Sequence, residues 1–178
     1  MIFAFVLGIT SSYANDDNRC YVYGVDFSHA RVYAAEESVE QFANAFKAIN
    51  LLFITEPEKY DFSLIMNKRV SVVVEPVMNI ISACDYSGLK TYDNTYANPD
   101  YSAIIRNYTL SQTEGTGIVM IAKMLDKPMR QAVYELITFD IASREILSNR
   151  EVKGKAGGFG LRNFWAGSIY QVIKNTRL

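Results

Sequence analysis

The chain predicts an α/β (α+β) domain of two or three layers: a mixed sheet of about five strands, three of them antiparallel near the C-terminus, and a closing helix. Three observations carry this. Runs of β-branched and aromatic residues stand between turn residues at 21–27, at 70–74 and three times in the last third of the chain. Two other segments, 36–50 and 161–175, repeat their apolar residues at three- and four-residue steps, as an amphipathic helix does. Hydrophobic residues make up 49% of the chain, and residues 15–178 suffice for one domain with a substantial core but not for two ordinary ones.

In chain order, YVYGVDF (21–27) reads as the first strand, ended by Ser28 and His29. Val39, Phe42, Ala43, Phe46 and Ile49 form the buried stripe of the helix over 36–50. Glu56-Pro57 opens a second helical segment through Met66, since proline fits a first helical turn. The valine run 70–74 predicts a buried strand that continues through 69–82, with Glu75-Pro76 as a bulge or bend. Glycine, proline, Asn and Asp over 85–100 predict a loop, closed by a short helix over 99–108. Strands follow at 117–124, 130–139 and 145–153, joined by turns too short for anything but antiparallel neighbours. Glycines over 154–160 break the sheet, and the helix 161–175 buries Phe164, Trp165, Ile169, Val172 and Ile173.

The first fourteen residues, MIFAFVLGITSSYA, read as a secretory leader. An apolar stretch over 2–9 precedes Ser12 and Ala14, the small residues that signal peptidase requires, although no Lys or Arg precedes Arg19. An apolar stretch of about eight residues falls short of the ~20 needed to span a bilayer as a helix. The expectation is export to the periplasm or beyond, with no membrane span in the mature chain. Cys20 and Cys84 are then candidates for one disulfide, which would stabilise the fold by about 4 kcal/mol in the chain-entropy account. Two unrelated buried thiols are the alternative.

The formal net charge is −1, and the charges alternate in sign along the chain. That argues against a nucleic-acid partner, which needs clustered cations. Asp26, Ser28 and the single histidine His29 are too close along one strand to align as a triad. One His and two distant Cys give no zinc spacing, and Asp93, Asn94, Asn98 and Asp100 lack the EF-hand register, so no metal or cofactor is expected. Two candidate surfaces remain. Tyr86, Tyr92, Tyr96 and Tyr101 offer contact area to a protein partner, or pack a long loop onto the domain. Lys155, Gly157, Gly158, Gly160 and Arg162 surround a helix start, where free amides attract anions, although the spacing matches neither dinucleotide nor P-loop patterns.

The order of elements, with Gly24-Val25-Asp26-Phe27-Ser28, Lys59-Tyr60-Asp61-Phe62 and Thr138-Phe139-Asp140-Ile141-Ala142-Ser143-Arg144-Glu145-Ile146, resembles the small export-associated domain of the TolB amino-terminal type. The curli-secretion and penicillin-binding-protein-activator lipoproteins share that domain. The chain is also similar in style to exported envelope proteins of Bacteroidetes. The resemblance implies a non-enzymatic envelope protein that docks on another envelope protein or on itself. The competing reading is a small-molecule or anion-binding domain, hydrolytic in one version, built on the glycine-rich turn 154–160. A concave pocket lined by Lys155 and Arg162 would favour that second reading.

Overall fold

The computed structural model describes residues 19–178, and the expected leader at 1–14 lies outside them. Seven strands and five helices follow in the order β1 (Cys20–Asp26), β2 (Arg31–Tyr33), α1 (Val39–Thr55), α2 (Ser63–Met66), β3 (Val70–Val72), α3 (Glu75–Ala83), β4 (Lys90–Thr91), α4 (Tyr101–Asn107), β5 (Thr116–Asp126), β6 (Gln131–Asp140), β7 (Ile146–Lys155) and α5 (Leu161–Asn175).

The seven strands occupy five lanes. β6 takes one whole edge of β5, antiparallel from Thr116↔Asp140 to Asp126↔Gln131. The other edge of β5 is shared, with β1 parallel to its first half and β2 parallel to its last three residues. β3 then lies parallel beside β1, and β4 parallel beside β2. The lanes run β3/β4, β1/β2, β5, β6, β7. Four pairings are parallel, and the two that tie β5, β6 and β7 together are antiparallel.

The sequence has no local signal for β2 or β4, which are two or three residues long. They exist because β5 extends past the end of β1 and leaves ladder groups to be paired.

The irregularity within β1 is held by one asparagine. Gly24 has φ +94°, and the register of β1 on β5 shifts between Val22 and Val25. Asn50 of α1 replaces the missing sheet partner: its Oδ1 accepts from the Val25 amide at 2.8 Å, and its Nδ2 donates to the Val25 carbonyl at 2.9 Å. A Cβ on residue 24 would fall 2.2 Å from that Oδ1, so glycine is required there by both space and backbone angle.

Helices α1, α3 and α5 pack on one face, where Phe27 stacks on Phe46 with ring centroids 4.1 Å apart and Tyr134 meets Ser168 of α5 at 2.7 Å. The segment bearing α4 crosses the other face: the Tyr108 hydroxyl donates to buried Asp26 at 2.7 Å, and Tyr101 reaches Glu135.

Two expectations exchange roles. Glu56-Pro57 does not open a helix. α1 runs on to Thr55, five residues past its expected end, the Glu56 backbone N–H caps it by donating to the Leu52 carbonyl, and Pro57 stops it. Glu75-Pro76 does not interrupt a strand. β3 ends at Val72, and Pro76 sits in the first turn of α3 with Val77 and Ile81 buried beside it.

The disulfide is also absent, since Cys20 and Cys84 are both free. Cys20 opens β1, whereas the Cys84 thiol lies 3.5 Å from the Ser28 carbonyl, past the other end of that strand. At ~3.3 Å per residue this puts them on the order of 20 Å apart, well beyond the ~7 Å that a disulfide allows between Cα atoms. Burial pushes both thiols above their ordinary value, aided at Cys84 by Asp26 and Asp85.

Candidate anion-binding site

The glycine-rich corner between β7 and α5 gathers charge that neither segment holds alone. β7 runs on through Gly154 and Lys155, so the sheet breaks at Ala156. Gly154 lies so close under α5 that an added Cβ would stand 1.9 Å from the Ser168 carbonyl oxygen. Gly158 and Gly160 take φ +127° and +79°, angles that turn the chain directly into α5. No side chain caps α5, and its first turn carries no acid. The amides of Leu161, Arg162 and Asn163 therefore begin the helix without intrahelical partners, at the positive end of its dipole.

An open concavity of about 590 Å³ lies at this corner, lined by Lys155, Gly157, Gly158 and Arg162 together with Arg130, Lys59, Tyr60 and Tyr170. That volume is within the ordinary range for small-ligand sites. Arg130, Lys155 and Arg162 are exposed, and among the described residues none forms an ion pair. The carboxylate in the lining, Glu56, is bonded to Lys59 at 3.2 Å. A lining made mostly of cations and hydrogen-bond donors can hold an anion.

Four of the five residues expected at this corner line the concavity, and the fifth, Gly160, is the N-cap of α5. Arg130 and Lys59 join the corner without being among the residues that the sequence places there. Arg130 arrives through the register of β6: Gln131 lies opposite Lys155, and the Ala156 amide donates to the Arg130 carbonyl at 2.7 Å. Arg130 holds φ +50°, a left-handed angle that is uncommon for a residue with a side chain. The turn at 127–130 and the antiparallel order of the last strands were the available signal. Together they place Arg130 at the glycine corner.

The four tyrosines do not form one surface. Tyr86 is buried, while Tyr92 is 94% exposed. Tyr96 and Tyr101 are half-buried against a network around Lys123, whose ammonium meets Glu151 at 2.8 Å and Glu135 at 3.4 Å. The Tyr96 ring lies 4.8 Å from Lys123 Nζ, and its hydroxyl donates to Glu151 at 3.2 Å. Burial alone would lower the Lys123 ammonium, but the Glu151 bond and the charges of Glu151 and Glu135 leave it raised. The Lys123 bond in turn holds the Glu151 carboxyl below its ordinary value.

Asp26 is occupied by the Tyr108 hydroxyl and the Ser28 amide, while His29 is exposed. No triad forms from Asp26, Ser28 and His29. Among the described residues, no group of three or more His, Cys, Asp or Glu is placed to hold a metal ion, and no helix is long and apolar enough to cross a membrane. Comparison of the chain with protein-family models, with curated proteins and with solved structures found no match.

Proposed function

We propose that the chain is an anion-binding domain whose β7–α5 corner holds a phosphate- or carboxylate-bearing ligand. One observation carries the reading: Arg130, Lys155 and Arg162 line a concavity at an uncapped helix start, and none has a carboxylate partner among the described residues. Elsewhere the buried ammonium, Lys123, is matched by acids. Ion pairing at exposed sites contributes little to stability. Three cations without a carboxylate partner, one of them resting over the Phe164 ring, face one space at a helix start and so suit an incoming anion. Of the four tyrosines expected to offer a docking surface, Tyr86 is buried and Tyr101 is tied to Glu135.

Inorganic phosphate is the simplest probe. A site that binds it only in the folded state raises stability by about 2.7 kcal/mol at a hundredfold excess over Kd, which a thermal melt detects. The Arg130→Gln, Lys155→Gln double variant is expected to lose that protection while melting normally without phosphate. Equal protection of the variant and the parent chain, at matched ionic strength, would overturn the proposal.

A further inference from the structure

The end of the sheet that carries the anion site also carries two of the most exposed large apolar side chains of the described residues. Phe159 is 95% exposed and Met129 is 71% exposed. They stand on two different turns, 127–130 and 156–160, which the antiparallel order of β5, β6 and β7 brings to one end and the Ala156–Arg130 backbone bond ties together. Around them are Arg130, Lys155 and Arg162. Segments 127–131 and 155–163 contain no Asp or Glu. The neighbouring Asp126 is buried and accepts from the Met129 amide at 2.9 Å, and Lys127 is neutralised by Glu37.

Phe159 and Met129, exposed on separate turns among cations, fit a fluid surface that closes around each of them, with apolar groups entering the acyl boundary and cations remaining at the level of the phosphates. We infer that this end of the sheet docks on an anionic bilayer. Phe159 and Met129 enter the headgroup region, and Arg130, Lys155 and Arg162 bind lipid phosphates, one of which occupies the concavity. The inference rests on the anion site proposed above and names the lipid headgroup as the source of its anion.

Co-sedimentation of the full chain with vesicles rich in phosphatidylglycerol, against pure phosphatidylcholine, tests it. Preference for the anionic vesicles is expected. Phe159→Ser should weaken binding to them by roughly tenfold to a hundredfold, the worth of one buried aromatic side chain. Each of Arg130→Gln and Lys155→Gln should weaken it by about fivefold. Both Phe159 and Met129 are exposed, so Phe159→Ser and Met129→Ser leave the core untouched, and an unchanged melting temperature verifies this. No preference for anionic vesicles, or equal binding by Phe159→Ser, Met129→Ser and the parent chain, overturns the docking. Phosphate protection without vesicle preference overturns the docking and leaves the anion site standing. Vesicle docking that Phe159→Ser abolishes, without phosphate protection, overturns the anion site and keeps the docking.

Discussion

Lys123 and Arg130 stand seven residues apart on one hairpin, yet the fold treats their charges in opposite ways. Lys123 is 3% exposed and held between Glu135 and Glu151 under the Tyr96 ring. Arg130 is exposed at the β5–β6 turn, beside Lys155 and Arg162, with no acid committed to it among the described residues. The difference separates two uses of a cation. A charge that the protein satisfies for itself fixes a loop to a sheet, whereas one left unsatisfied in a concavity is available to something else. Removing charge should therefore damage the first region and spare the fold of the second, and adding volume should do the reverse.

The largest effect is expected from Lys123→Met. It leaves Glu135 buried without its cation and should cost about 3–5 kcal/mol in urea unfolding, whereas Arg130→Gln should stay within about 0.5 kcal/mol of the parent. Similar losses for the two variants would erase the distinction. Gly154→Ala should come next, at about 1–3 kcal/mol, because its methyl group meets the Ser168 carbonyl and must push α5 off the sheet. The smallest effect is a pH dependence. The lowered Glu151 carboxyl contributes stability above its ordinary value of 4.5 and loses it as pH falls through the depressed value. The raised Lys123 ammonium contributes fully below 10.5 and loses its contribution as pH rises through the raised value. Both flanks of the stability profile should be shallower in Lys123→Met, and flanks identical to the parent would show that the network carries no net stability.

What the sequence made legible followed the range of the interactions. α5 covers the same residues as expected, and the three antiparallel strands fall within a few residues of their expected bounds, because period and turn chemistry are local signals. The two Glu-Pro pairs take roles opposite to those their sequence suggests. Proline restricts its own φ and the residue before it equally well at a helix stop and at a helix start. The choice lay in what the flanking apolar residues pack against: Leu52 and Phe53 carry α1 up to its cap, whereas Val77 and Ile81 begin a new buried stripe. At the candidate site, Lys155, Gly157, Gly158, Gly160 and Arg162 are contiguous and were visible. Arg130 was not, since only the register Gln131↔Lys155 joins it to them.

The Asn50 side chain ends up acting as a piece of backbone. By taking both the donor and the acceptor of Val25, it makes the hydrogen bonding of a strand irregularity depend on a helix from another layer. Solvent can then reach the Val25 amide only when α1 lifts from the sheet. A bulge that would ordinarily open by local breathing should here keep its deuterium label nearly as long as the centre of β5, exchanging only when the whole molecule unfolds.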